Sequence, residues 1–189
     1  VPSLSHRGPD SVSTITKDNL QFTHNLLSIV GENVKQPFEG QGVFLANCEI
    51  YNWKELCLKH GIKARNDAEF LFKYLESQDK IEIKKIIEEL DGDYACIYYR
   101  DNTIYAFRDP LGVFPLFYSL IPLIFSSEKN DEKLIELHPR TILIHNVKTK
   151  KTKIEYNDFF SLISSSSSYS EINNLLSQSV EKRIVDNPI

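Results

Sequence analysis

Hydrophobic and polar positions change period along the chain, and the changes mark its elements. Gly42 to Tyr51 (GVFLANCEIY) is a β-prone run ending at Asn52 and predicts a buried strand, while Leu20 to Val30 mixes apolar and polar residues as a strand does. The period then lengthens. Asn52 precedes Trp53-Lys54-Glu55-Leu56, with Glu55 three positions on and Gly61 past the last turn, so a capping box and a C′ glycine predict a short helix. Asn66 with Glu69 at N3 opens a second helix whose stripe is Phe70, Leu71, Tyr74 and Leu75. A third is expected over Lys80 to Leu90, where Ile83, Ile86, Ile87 and Leu90 share a face. Strand chemistry returns at Asp93 to Arg100 and Thr103 to Arg108, separated by Asp101-Asn102, two residues that tolerate φ > 0 in a tight hairpin. Further short strands are expected at Leu116 to Tyr118, Leu123 to Ser126, Thr141 to Val147 and Thr152 to Tyr156. Helices clustered over 53–90 and strand-turn-strand spacing after 93 predict an α+β fold with antiparallel sheets.

Both ends read differently. Val1 to Asp10 is rich in Ser, Pro and Gly, and Gly8-Pro9-Asp10 is loop chemistry because Pro biases its predecessor away from the helical region. Ser164 to Ser168 is an unbroken serine run with no apolar group to pin it, which predicts a linker. Beyond it Ile172, Leu175, Leu176, Val180 and Ile184 fall at helical spacing up to Asp186-Asn187-Pro188.

Composition narrows the functional classes. The 189 residues suit one domain, and 41% hydrophobic with 25% charged residues is a globular balance. With 22 Lys+Arg against 26 Asp+Glu, the net charge of −4 gives no basic field, so no nucleic-acid partner is expected. The longest apolar run, Val113 to Phe125, is broken by Pro115 and Pro122 and is shorter than the roughly 20 residues of a membrane span, so no membrane partner is expected either. There is no basic segment with an apolar h-region at the N-terminus. Three Cys are an odd number that argues against a disulfide framework and for a reducing compartment, with the cytoplasm as the expected location.

Side-chain chemistry alone offers little. His6, His24, His60, His138 and His145 are scattered without the spacing of a helical metal site, so no metal is expected. Cys48, Cys57 and Cys96 make no CxxC and read as small core residues, and no glycine loop could cradle a phosphate. Lys84-Lys85 and the lysines of Lys148 to Lys153 read as solvated faces. Arg108-Asp109, before Pro110-Leu111-Gly112, predicts a buried pair that fixes the following turn.

Eight stretches in order change this picture: SHRGPDS (Ser5 to Ser11), LSIV (Leu27 to Val30), QPF (Gln36 to Phe38), NCEIYNWKEL (Asn47 to Leu56), NDAEFL (Asn66 to Leu71), LDGDYACIYY (Leu90 to Tyr99), FRDPLGVFPLFY (Phe107 to Tyr118) and FSSEK (Phe125 to Lys129). Together they resemble the class II glutamine amidotransferase domain of glutamine-dependent asparagine synthetases. The resemblance implies an Ntn-hydrolase-like αββα sandwich, two antiparallel sheets between helices. It also implies glutamine hydrolysis by an N-terminal Cys whose α-amino group is the base, through a tetrahedral oxyanion and a thioester. Asn47 matches the Asn that stabilises the oxyanion. Leu27, Ser28, Ile29 and Val30 match the segment lining the glutamine pocket. Glu49 and Asp67 match the acidic residues near the substrate, Asp67 being suited to hold its α-ammonium. Arg7 and Arg108-Asp109 match motifs of structural role.

The departures carry their own expectations. Val1 opens the chain where the family would have placed a nucleophilic Cys and a first strand well upstream, so the chain as it stands is expected to lack the first strand and to be inactive as a glutaminase. Cys48 has no free α-amino group and cannot replace that nucleophile. Leu26 stands where the family has an Arg that clamps the glutamine carboxylate, and Cys48 where it has the Gly whose N–H serves the oxyanion hole. The expected organisation is an amidotransferase-like domain over 1–160, a serine-rich linker over 161–170 and a connector helix over 171–189 leading toward a synthetase domain. No cofactor is expected in this chain, ATP and Mg²⁺ belonging to that synthetase domain. L-Glutamine is the expected ligand if the pocket is competent, and a synthetase domain or partner chain the expected protein contact. The alternative is a degenerate, non-catalytic module of the same fold used for regulation or partner docking.

Overall fold

A computed structural model describes residues 4–27, 32, 34–157 and 167–184. The chain divides into two units, 1–157 and 158–189. The first opens with a hairpin, β1 (Ser11–Lys17) and β2 (Leu20–Leu26), turned by Asp18 and Asn19 at φ 50° and 63°. The strand expected over Leu20 to Val30 thus ends at Leu26, and Ser28, Ile29 and Val30 lie outside the described residues. β3 (Phe38–Glu39) and β4 (Val43–Ile50) follow, then the helices α1 (Trp53–His60), α2 (Asp67–Glu76) and α3 (Ile83–Glu89). The second hairpin is β5 (Gly92–Arg100) and β6 (Thr103–Arg108), with Asp101 and Asn102 at φ 51° and 59° as expected. β7 (Phe117–Leu120), β8 (Leu123–Ser126), β9 (Ile135–Glu136), β10 (Thr141–Asn146) and β11 (Thr152–Tyr156) complete the unit.

These strands form an antiparallel six-stranded sheet in the order β11-β10-β6-β5-β4-β3, a two-stranded sheet β1-β2 and a three-stranded sheet β8-β7-β9. Because side chains alternate along a strand, β4 serves two cores. Val43 packs with Phe22, Tyr99 and Ile104 and with partly buried Leu45, Ile97, Leu123 and Phe125, which brings the small sheets against the large one. On the opposite face Phe44, fully buried, stacks with Phe38 and with Phe72 of α2, and meets the Tyr98 edge. Removing a ring of this size from water is worth roughly 1.5–3 kcal/mol. Asn47 shares the face of Val43 and Leu45, whereas Cys48 shares the helix-side face of Phe44.

The local signals at the helices meet tertiary competition in different ways. Asn66 caps α2 as expected, its side chain accepting Glu69 N–H at 2.9 Å. Asn52 does not cap α1. Its Oδ1 accepts Asp91 N–H at 3.0 Å and its Nδ2 donates to Glu89 O at 2.8 Å, which ties the start of α1 to the end of α3. Gly61 closes α1 in the left-handed region at φ 64°. α3 begins at Ile83, three residues later than its apolar pattern suggested.

Arg108 and Asp109 depart from the expected mutual pair. Arg108, 2% exposed, donates to Glu136 Oε1 at 2.8 Å and to the carbonyls of Leu137, Phe114 and Gly112. Asp109 instead accepts the amides of Leu111 and Val113, both at 3.0 Å, and Tyr94 N–H at 3.3 Å. Each residue closes the 109–114 turn separately, so the role is structural, and apart from Glu136 the partners named are backbone groups. Gly112 is needed there: φ is 69°, and a Cβ would come within 2.5 Å of Pro139 Cγ.

The second unit contains α4 (Tyr169–Glu181). Ser168, the last residue of the serine run, caps it in a complete box: its Oγ accepts Glu171 N–H and Glu171 Oε2 accepts Ser168 N–H at 2.6 Å. Ser164 to Ser166 lie outside the described residues. Among the described residues no helix is long and apolar enough to cross a membrane.

Candidate active site

A cleft of about 740 Å³ opens between the small sheets and the large one. Leu45, Asn47, Ala95, Ile97 and Ile104 line it from the large sheet, Leu20 to Leu27 from β2 and the residue after it, and Leu123 to Ser127 from β8 and its exit. Among the described residues β2 is paired only by β1 and β8 only by β7, so each of the two cleft-lining strands has one edge without a described strand partner.

One end of the cleft collects polar groups. Asn47 and Glu49 line it from alternate positions of β4, and Asp67 lines it from the first turn of α2. Asp67 is 4% exposed; its two oxygens accept Ile50 N–H at 2.9 Å and Ala68 N–H at 2.8 Å, and the Cys48 thiol also hydrogen-bonds to the carboxylate. Burial pushes its carboxyl above the usual range, and the two amides pull the other way. Leu27 lines the same cleft and is half exposed, and Leu26 beside it is buried. Thus Leu27, Asn47, Glu49 and Asp67 of the expected glutamine-binding set come together, while Ser28, Ile29 and Val30 lie outside the described residues.

Cys48 also lines the cleft, but burial, reinforced by the nearby Asp67, pushes its thiol well above the ordinary range. That keeps it protonated, and a thiol is not the nucleophilic form. Its backbone is more informative. Tyr51 N–H donates to Asp91 O at 2.8 Å, so the odd-numbered amides of β4 face β5 in the antiparallel alternation. The even-numbered ones face the other edge: Ala46 N–H donates to Gln36 Oε1 and Ile50 N–H to Asp67 Oδ2. Cys48 N–H lies between them in sequence and points to that same edge.

Gln36, His24 and Arg7 are polar residues of the cleft that the sequence pattern does not mark as lining. Gln36 and His24 both contact Ala46 O, at 3.0 and 3.2 Å. Arg7 donates to Ser127 O at 2.7 Å. Gly8 lets this loop lie on β2, since a Cβ would come within 2.2 Å of Asn25 O. The signal for Gln36 was present as register: β3 and β4 pair Phe38 with Phe44, which sets residue 36 opposite residue 46. Among the described lining residues Arg7 is the one guanidinium, against the carboxylates of Glu49 and Asp67. No group of three or more His, Cys, Asp or Glu among the described residues could hold a metal ion.

An amide side chain, a buried carboxylate and a β4-edge N–H thus line one cleft. Residues 1–182 match the family model of the glutamine amidotransferase domain. The chain belongs to this family. A probable glutamine-hydrolyzing asparagine synthetase of Dictyostelium discoideum is 35% identical over 126 residues, covering 60% of this chain and 22% of that protein. A putative glutamine-hydrolyzing asparagine synthetase 1 of Methanocaldococcus jannaschii is 40% identical over 144 residues, covering 61% of this chain and 25% of that protein. The chain therefore spans about a quarter of the length of these curated relatives. Among solved structures, the glutamine phosphoribosylpyrophosphate amidotransferase of B. subtilis, complexed with ADP and GMP, superposes with a TM-score of 0.58 at 21% identity, covering 75% of this chain and 35% of that one. That likeness establishes the fold: the glutamine amidotransferase domain here has the mixed α+β, antiparallel-sheet architecture of the Ntn-hydrolase class.

Proposed function

We propose that this glutamine amidotransferase domain binds L-glutamine in the cleft and serves as the glutaminase part of an asparagine synthetase-like protein. The observation that carries the reading is the convergence of Asn47, Glu49, Asp67 and Cys48 N–H at one end of the cleft. In this reading the Asn47 Nδ2–H₂ and Cys48 N–H donate to the oxyanion that forms when a thiolate attacks the glutamine side-chain carbonyl. Asp67 and Glu49 hold the α-ammonium at the other end of the substrate. The thiolate comes from an N-terminal Cys on an extended segment lying between the free edges of β2 and β8, and Cys48, kept protonated, stays a bystander. Ammonia released from the amide is passed to a synthetase domain or partner chain, where ATP and Mg²⁺ belong. A cytoplasmic location follows from that role.

Leu26 favours a second reading. A buried aliphatic side chain in place of the carboxylate-clamping Arg weakens glutamine recognition, as expected of a non-catalytic module kept for regulation or docking. Calorimetry of the purified chain with L-glutamine separates the two: saturable binding at millimolar concentration or tighter supports the first, and no saturable heat supports the second. Release of glutamate and ammonia by a chain without a Cys-led N-terminus would overturn the assignment of the nucleophile to a separate segment.

A further inference from the structure

β3 supplies only two residues to the ladder on β4, pairing Phe38 with Phe44 and Glu39 with Val43. Carried one pair further, the same register sets residue 36 against residue 46, and here the backbone partner is replaced by a side chain. The Gln36 carboxamide, 6% exposed, takes both halves of the Ala46 peptide: Ala46 N–H donates to Oε1 at 2.8 Å, and Nε2 donates to Ala46 O at 3.0 Å. A primary amide has one acceptor and one donor side, which makes it a substitute for the missing strand residue. His24 Nε2 lies 3.2 Å from the same carbonyl. Burial lowers the His24 pKa and keeps the ring neutral, so a proton on Nε2 makes this a second donor.

We infer that Gln36 is a positioning residue for the oxyanion-binding end of the cleft, acting through the Ala46 peptide on the Asn47 side chain and the Cys48 N–H. On its β5 side this stretch is already held, with Asn47 opposite Ala95 and Cys48 opposite Tyr94. On the other edge Asp67 holds Ile50 and Gln36 holds Ala46, so the two side chains bracket Cys48 N–H, and among the described residues no strand pairs with Cys48 on that edge. A donor bracketed in this way has its direction fixed by its neighbours. This suits a group that must accept a developing charge without reorganising. The inference rests on the glutamine-binding reading for its purpose, though its geometry is independent of it.

The test uses the full chain labelled with ¹⁵N, compared with Gln36→Met and Gln36→Glu. The Met variant keeps the bulk and removes both hydrogen bonds, whereas the Glu variant, ionised, keeps the acceptor for Ala46 N–H and loses the donor. In the ligand-free protein, the Asn47 side-chain amide and Cys48 backbone amide resonances are expected to move in both variants and further in Gln36→Met. The Lys150 amide, in the β10–β11 turn at the opposite edge of the large sheet from β3, is expected to stay in place. Calorimetry with L-glutamine is expected to show at least a tenfold loss of affinity in Gln36→Met. Unmoved Asn47 and Cys48 resonances in a folded variant overturn the inference, as does an affinity equal to the parent's. If Gln36→Met fails to fold, the same resonances in Gln36→Glu decide the question. If the parent itself shows no glutamine binding, the functional reading fails, and the ligand-free resonances still settle the positioning role.

Discussion

Asp67 Oδ2 accepts the backbone N–H of Ile50 at 2.9 Å, joining the first turn of α2 to the last residue of β4. The bond makes Asp67 both a cleft residue and a structural clamp, and substitutions separate the two roles. Asp67→Asn keeps an acceptor for Ile50 and removes the charge. Asp67→Ala removes the acceptor of both Ile50 N–H and Ala68 N–H, and each buried donor left unpaired costs about 1–3 kcal/mol. Urea denaturation is expected to show that loss for the Ala variant and a smaller one for Asn, while both lose glutamine binding by calorimetry. Equal stability of the Ala variant and the parent would show that Ile50 finds another acceptor.

Glu69 is one carboxylate through which acid acts on stability. Arg65 donates to it through a side-chain pair and its backbone N–H, Lys73 lies 3.2 Å away, and together they hold the carboxyl down at about 2. A folded pKa below the unfolded value means that the stabilisation is present above about 4.5 and is lost as pH falls toward 2. Asp67 has the opposite sign. Its pKa is raised by burial, so ionising it disfavours the fold, and its contribution is greatest below its unfolded pKa. Glu69→Gln is therefore expected to lower stability at pH 7 and to flatten its fall between pH 5 and 2, read from thermal midpoints across that range. Because Arg65 is half exposed, the effect is on the order of 1 kcal/mol. An unchanged pH profile would place the acid sensitivity elsewhere.

Asn19 is the second of the two left-handed residues in the β1–β2 turn, at φ 63° after Asp18 at 50°. Asn19→Gly keeps that geometry freely available, and Asn19→Val places a β-branched residue where it costs about 1–2 kcal/mol. Denaturant midpoints are expected to stay near the parent for Gly and to fall for Val. Asp18 is left intact in this comparison because its carboxylate accepts the Tyr99 hydroxyl at 2.7 Å.

That hairpin also shows what was legible. Asp101-Asn102 was read as a turn because strongly β-prone runs flank it. The same dipeptide at Asp18-Asn19 went unread because β1, Ser-Val-Ser-Thr-Ile-Thr-Lys, exposes every other residue and has little apolar contrast. Local chemistry was enough for the Asn66 cap and the Gly61 stop. It failed at Asn52, where the Asp91 and Glu89 backbone groups outcompete the helix for the side chain. The site was less legible than the fold. Asn47 and Asp67 are 20 positions apart and were joined by family resemblance alone, and the role of Gln36 depends on a register that no local pattern encodes.

Leu26 is the departure with the clearest consequence. It is 8% exposed, lines the cleft and adjoins Leu27, so an Arg there would place a guanidinium beside the polar end without disturbing the Asp10 N–H to Leu26 O bond, which is backbone only. A charge-assisted, bidentate contact with the substrate α-carboxylate is worth about 1.5–3 kcal/mol, or roughly ten- to a hundredfold in affinity. Leu26→Arg is expected to tighten L-glutamine binding by that factor and to leave the binding of glutamine lacking its α-carboxylate unchanged. The comparison matters because the ligand without the α-carboxylate keeps only its ammonium and offers a guanidinium clamp nothing to hold. Equal tightening for both would mean that the introduced side chain acts through contacts other than the α-carboxylate and that Leu26 does not adjoin the carboxylate subsite.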